Sequence, residues 1–455
     1  MKESKGLALF TDLYELTMAA SYFEHGMIEP ASFSLFVRNY PHHRSYFVSA
    51  GLAEALDYLE GLSFSSDDLE YLESTQLFKN NFLSFLETLE FTGDVFAIPE
   101  GRLFFVNEPI LEVTAPLIEA QIIETFIINA INIQSMIATK ASRCVYAAEG
   151  RPLVDFALRR TQATDAGMKV ARASFIGGFI GTSNVLAGKQ FGIPVYGTMA
   201  HSFVTSFDKE IEAFRAYVRT FPDNSVLLVD TYDTLSGARN AARVGKEMAR
   251  RGETLKGVRL DSGDMVRLSK EVRKILTEAE LSHTQIFASG AFDEYKIQKV
   301  LRQGAEIDSF GVGTKMGVSA DAPYLDMAYK LVKYQKRPIL KLSPGKSTLA
   351  SDKQLFRFKT HEGQLEKDTI GLRDDVFEDA ESLLKKVMDK GKAMSSPSSL
   401  PHIQETFLEE FNRLKNVHKC LEGAEKDYPV AISPRLKKIQ EETIQRVKNE
   451  ELSHG

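Results

Sequence analysis

The sequence predicts an α/β protein: an irregular, TIM-like α/β barrel with an N-terminal α/β domain that C-terminal segments complete. Three observations predict it. Short apolar runs recur at 153–157, 193–196, 226–229, 257–260, 285–288 and 309–312, with a less obvious one near Ile180. Amphipathic helical patterns separate most of them, among them DKEIEAFRAYVRTF, SGARNAARVGKEMARRG, DMVRLSKEVRKILTEAE and EYKIQKVLRQG. Each run then ends in small or polar residues. Strands alternating with helices at roughly 25–30-residue intervals imply parallel strands with right-handed crossovers, and so many units favour a closed barrel over an open sheet.

Taken in order, residues 1–110 form the expected N-terminal α/β domain. DLYELTMAASYFEHG reads as a helix there, and ASFSLFVRN, GRLFFVN and PILEVTA as strands. The most apolar stretch, PLIEAQIIETFIINAINIQSMIATKAS, is interrupted by Glu119, Glu124, Asn129, Asn132 and Gln134, so it reads as a buried helix and not a membrane span. The barrel is expected over 111–320, with VTSFDKEIEAF as one of its helices. Residues 321–389 return to strand-like patterns, PILKLSP and LFRFKTHEGQLEKDTIGL, as though rejoining the first domain. Residues 390–455 read as a C-terminal helical tail: KGKAMSSPSSLP as a linker, then charged helices.

Composition narrows the function. A chain of 455 residues with 43% hydrophobic and 26% charged residues is an ordinary globular protein of more than one structural unit. Its net charge of -6 argues against nucleic acid as the main partner. No apolar core and cleavage site of a signal peptide opens the chain, and no membrane span is expected, so a cytoplasmic protein follows. Cys144 and Cys420 stand too far apart for a metal spacing, and no metal-ligand set is expected.

In a parallel barrel the strand ends share one face, the face that carries chemistry. Here they are RRTQ (159–162), GTMAH (197–201), DTYDT (230–234), DSGD (261–264), SGAFD (289–293) and GVGT (311–314). Helix capping accounts for many Ser, Thr and Asp residues, Asp264 among them, but not for Arg159, Arg160, Arg259 or His201. With Asp261, Ser289 and Gly290 they outline a phosphate site, and Gly311, Gly313 and Thr314 offer backbone N–H groups to oxyanions late in the series. Arg259 in a barrel needs a carboxylate or an anionic ligand. Arg259 and Asp261 are expected on opposite sides of their strand unless the chain turns at Leu260. SPGKST (343–348) contains Gly-Lys-Ser, but Leu340 stands where a phosphate loop needs its first glycine, so it reads as a basic turn. Tyr14 reads locally as a half-buried helix aromatic.

With these residues in place, the sequence resembles the nicotinate phosphoribosyltransferases. The resemblance is carried by TDLYELTMA (11–19), DFALRRTQ (155–162), GTSNVLAG (181–188), GTMAHSFVTSF (197–207), LLVDTYDT (227–234), VRLDSGD (258–264) and GVGT (311–314), in order, across about residues 7–350. It implies the type II phosphoribosyltransferase fold and the synthesis of nicotinate mononucleotide from nicotinate and 5-phosphoribosyl-1-diphosphate, coupled to ATP, with Mg²⁺ on the diphosphate. It implies that Tyr14, Thr198 and Arg259 contact nicotinate, that Thr314 binds the phosphoribosyl group, and that His201 is transiently phosphorylated. It also implies a homodimer; the aromatic stretch SFSLFVRNYPHHRSYF (32–47) is the candidate element offered to a partner's site. The cysteine-based metal knuckle of some relatives has no counterpart here, where only Cys420 is available near the C-terminus. Alternatives on the same fold are nicotinamide transfer, which gives Arg259 no anion, and quinolinate transfer, which asks for a more cationic pocket. A non-catalytic nucleotide-binding scaffold would need no rim histidine.

Overall fold

The computed structural model describes residues 6–343, 348–396, 398–422 and 427–451. The Gly-Lys-Ser turn of SPGKST lies outside them. The chain divides into two units: Met1–Met136 together with Tyr324–Gly455, and the contiguous stretch Ile137–Pro323. Among the described residues no helix is long and apolar enough to cross a membrane.

In the discontinuous unit, Pro30–Val37 lies mid-sheet, antiparallel to Leu111–Pro116 on one side and to Met327–Tyr334 on the other. All its residues after Pro30 are buried, which a strand paired on both edges permits. Asp94–Ala97, Lys385–Asp389 and Lys392–Ala393 extend this sheet one way and Arg337–Pro338 the other, so late segments complete an early sheet. A smaller sheet runs Ala380–Ser382, Lys353–Lys359, Leu365–Leu372, Val430–Ile432. Two expectations change here. Lys392–Ala393 makes strand within the expected linker, and Val430–Ile432 puts a strand into a tail expected to be helical. Both runs are too short to show a period. The helices of that tail are Leu400–Arg413 and Pro434–Glu451.

Part of the charge buried in this unit forms a paired cluster. Arg357, with no exposed side-chain surface, bonds Asp368 at 2.5 Å and Glu410 at 2.7 Å. Arg102 meets the same Glu410 at 2.9 Å, and Tyr428 donates to Asp368 while stacking on Phe105.

The contiguous unit carries the alternating series. Six parallel strands lie in the order Gly181–Thr182, Leu153–Asp155, Ser309–Val312, Gln285–Ala288, Gly257–Leu260, Val226–Leu228. The helices between them follow the sequence pattern: Glu210–Thr220, Thr234–Ala249, Met265–Glu278 and Glu294–Arg302. The expected strand at 193–196 reduces to a single bridge, Thr182 to Val195, because Pro194 has no N–H for a ladder. Backbone pairing therefore leaves the sheet open between this segment and Val226–Leu228, and the closed barrel expected from the unit count is not formed by strand pairing. VTSFDKEIEAF is also interrupted: one short helix, His201–Thr205, ends at Ser206, and the next begins after Lys209.

Candidate active site

Because the six strands are parallel, their C-terminal ends and the loops that follow lie along one edge. Arg259, near the end of Gly257–Leu260, organises that edge. Its Nε donates to Ser289 Oγ at 2.8 Å, one terminal nitrogen donates to Thr198 Oγ1 at 3.0 Å, and the other meets Asp261 Oδ1 at 2.7 Å. The guanidinium carbon stands 5.4 Å from the centre of the Phe156 ring. Arg259 and Asp261 are thus partners and not on opposite sides: residues two apart in a strand share a face, and the pair is closed by an ion pair. Asp264 does cap the following helix, accepting from the N–H groups of Val266 and Arg267.

Asp261 is doubly restrained. Burial works to raise its pKa, but hydrogen bonds from Ser289 and Arg259 outweigh it and hold the carboxyl below the ordinary range. Its backbone N–H donates to Asp230 Oδ2 at 3.0 Å, which Ser262 also reaches at 2.6 Å. The other oxygen of Asp230 is buried with no hydrogen-bond partner among the described residues. Gly290 crosses directly over this loop. Its φ is +103° and a Cβ there would lie 2.0 Å from the Asp261 carbonyl oxygen, so only glycine lets the two strand ends approach so closely.

His201 opens its short helix and is exposed, with Nδ1 3.1 Å from Thr231 Oγ1. Arg159 and Arg160 sit on a 3₁₀ turn, exposed, with no carboxylate among the described residues paired to them. Asp155 buttresses that turn from below. It accepts from the Ala157 N–H at 2.8 Å and from Thr182 Oγ1 at 2.7 Å, and burial pushes its pKa up to about 6 despite those bonds. Gly311 and Gly313 pack against Phe156, and Thr314 is exposed at the start of the next turn. Beside it Lys315 bonds Asp293 at 2.6 Å, while Lys296 Nζ reaches the Gly290 carbonyl at 2.6 Å. Burial, with Lys315 nearby, lowers the pKa of Lys296.

Of the residues singled out from sequence, Arg259, Thr198, Asp261 and Ser289 form one hydrogen-bonded group. His201, Arg159, Arg160, Gly290, Gly311, Gly313 and Thr314 line the same edge. Tyr14 belongs to the other unit, where it sits half-exposed on the Leu13–Glu24 helix. Partial burial and the charge of Glu124 raise its hydroxyl pKa, so it is a neutral phenol. Asp230, Lys296 and Lys315 were not singled out. A lysine early in an amphipathic helix looks like an ordinary solvated charge, and only the loop geometry turns it inward.

The chain is similar to known proteins along most of its length. Three family descriptions match in succession: the nicotinate phosphoribosyltransferase N-terminal domain over residues 9–132, the nicotinate phosphoribosyltransferase family over 152–375, and its C-terminal domain over 376–440. The last reaches into the tail that the motifs do not cover. A nicotinate phosphoribosyltransferase of Mycobacterium tuberculosis is 45% identical over 430 residues, 94% of this chain and 92% of that one. A Bacillus subtilis protein of the same name is 42% identical over 386 residues, 83% of this chain and 78% of its own. The crystal structure of human nicotinic acid phosphoribosyltransferase superposes with a TM-score of 0.85 at 27% identity, over 95% of this chain and 99% of that one.

Proposed function

The chain belongs to the nicotinate phosphoribosyltransferase family, and from that premise we propose that the Arg259 edge joins nicotinate to 5-phosphoribosyl-1-diphosphate. The observation that carries the proposal is the set of groups around Arg259. The guanidinium is held in place by Thr198, Ser289 and Asp261 beside the Phe156 ring. A flat ring bearing a carboxylate matches it, because the carboxylate can take a guanidinium edge while the ring finds an aromatic face. In the reaction the pyridine nitrogen attacks C1 of the ribose, the bond from C1 to the diphosphate oxygen breaks, and nicotinate mononucleotide and diphosphate result. The transition state is oxocarbenium-like, so the protein mainly positions groups and stabilises charge. Arg159 and Arg160, with no carboxylate among the described residues paired to them, are suited to the departing diphosphate, and Thr314, Lys315 and Lys296 to the phosphate on the sugar.

Further proposals complete this reading. ATP is a co-substrate that phosphorylates His201: Nδ1 stands 3.1 Å from Thr231 Oγ1, and in the tautomer that donates there Nε2 keeps its lone pair for the γ-phosphoryl group. Mg²⁺ fits the edge as well, since Asp230 presents a buried oxygen with no partner among the described residues, next to Asp261, and this ion takes one or two carboxylates plus phosphate oxygens. When bound it neutralises diphosphate charge. The open side of the six-stranded sheet, which side-chain bonds from Arg259 to Thr198 and from His201 to Thr231 span, we read as the seam of an irregular barrel. We also place the protein in solution as a homodimer, whose partner shields the edge from water.

The test is direct. Purified protein with nicotinate and 5-phosphoribosyl-1-diphosphate should form nicotinate mononucleotide. Arg259→Ala should raise the nicotinate KM by an amount equivalent to about 2–5 kcal/mol, the cost of losing a buried charge-assisted contact. Any nicotinamide use should suffer far less. Equal losses for both substrates would remove Arg259 from carboxylate recognition.

A further inference from the structure

One hydroxyl in the discontinuous unit faces two acids. Thr125 Oγ1 stands 2.6 Å from Asp12 Oδ2 and 2.5 Å from Glu15 Oε1. It has a single proton, and an oxygen–oxygen approach that short with no proton between is lone-pair repulsion. A second proton is needed, on one of the two carboxyls. Asp12 is exposed, where water solvates a carboxylate well, whereas Glu15 is completely buried. We infer that Glu15 is held as a neutral carboxylic acid donating to Thr125, and that in this form it fixes the first turn of the Leu13–Glu24 helix, the turn that carries Tyr14.

The surroundings agree. Thr11 Oγ1 donates to the other oxygen of Glu15 at 2.5 Å, and the Thr125 backbone N–H reaches Oε1 at 3.1 Å. That N–H is in the first turn of Glu124–Ala147, where it has no partner within its own helix. One acid thereby ties the start of one helix to the start of another. The charged groups facing it are Asp12 and Glu124, with Lys330 bonded to Glu124 at 3.2 Å; Tyr14, Tyr58 and Tyr329 contribute neutral phenols. Burial above all, with help from Glu124, pushes the Glu15 pKa up to about 7, against the opposing bonds from Thr11 and Thr125. The folded chain therefore keeps a proton that the unfolded chain has lost. The stabilisation is full below the ordinary pKa of 4.5 and disappears as pH rises through about 7.

The link to the reaction rests on the transferase reading and on the resemblance, which implies that Tyr14 contacts nicotinate; Glu15 is offered no substrate contact and is a positioning residue. Glu15→Gln keeps the shape and offers Thr125 an amide N–H in place of the acid. The infrared difference between wild type and this variant should contain a carboxylic-acid carbonyl band that vanishes as pH passes about 7. Hydrogen exchange of residues 13–24, corrected for intrinsic rates, should quicken over the same range in the wild type only. The wild-type nicotinate KM should rise about fivefold between about pH 6 and about pH 8.5 while kcat moves less than about twofold, and the variant should be flat. Thr125→Val should raise the KM throughout. Absence of the acid band, or the same pH dependence in wild type and Glu15→Gln, overturns the inference; an unchanged KM in Thr125→Val overturns its positioning part. If the wild type forms no mononucleotide at any pH, the transferase reading fails instead, and the infrared and exchange results still decide the state of Glu15.

Discussion

At the scale of single residues, the proposed phosphorylation of His201 is what would separate a coupled enzyme from a plain transferase. It touches Thr231 through Nδ1 and is otherwise open to solvent. A phosphoryl group there would bring roughly two negative charges to an edge already holding Arg259, Arg159 and Arg160, drawing those cations and the loop after Thr198 into a new arrangement. His201→Asn should therefore lose ATP hydrolysis and ATP stimulation while keeping a slow transfer at high substrate. Steady-state assays with and without ATP on a variant of normal thermal stability check this, and retained stimulation would end the phosphohistidine proposal. The rim was readable from sequence because Arg and His after apolar runs are not capping residues. Asp155 and Asp230 were hidden in the same motifs, since an Asp at a strand end looks like any helix cap until its partners are known. The misplacement of Asp261 relative to Arg259 came from discounting the two-residue period of a strand.

Among elements, the parallel series was legible because each helix is strongly amphipathic and each strand ends in turn residues. What failed was strand 193–196, where Pro194 removes a ladder donor, and the tail strand Val430–Ile432, too short to leave a pattern. The ionic cluster joining Lys353–Lys359, Leu365–Leu372 and the Leu400–Arg413 helix was equally invisible, because its members are far apart in sequence. It yields a clear expectation. Arg357→Ala takes the shared cation from Asp368 and Glu410, both buried, leaving Glu410 its bonds to Arg102 and the Leu103 N–H, and should cost about 3–5 kcal/mol of stability. Arg357→Met with Asp368→Asn should recover much of that loss, since neutralising the pair removes the stranded charge. Denaturant midpoints of the two variants measure the difference; equal midpoints would show that the cluster is not what holds this helix to the sheet.

For the whole molecule, the expected partner-facing element must shrink. Phe33, Leu35, Phe36 and Val37 are consumed inside their own sheet and Tyr46 and Phe47 are buried, which leaves the turn 38–43 as the accessible part of that stretch. Light scattering at assay concentration should give a mass about twice 50.9 kDa, with specific activity falling on dilution below the dissociation constant. An active monomer would rule the homodimer out. That the chain doubles back was foreseeable from the late strand-like patterns; which strand it would pair with was not, because register depends on contacts that a single sequence does not display.

That doubling back sets an order of events during synthesis. Pro30–Val37 emerges from the ribosome early, yet its partner Met327–Tyr334, which it meets from Ala31 opposite Tyr334 to Val37 opposite Met327, follows only after the whole of Ile137–Pro323. At roughly 5–20 residues per second the wait is on the order of 15–60 s. Ile137–Pro323 is contiguous and holds every strand of its own sheet, so it can finish folding within that interval. The first-made strand meanwhile offers an apolar, unpaired edge, the template on which chains stick to one another. Yield in a cell should therefore depend less on the contiguous unit than on how well that one early strand is shielded until translation passes Tyr334.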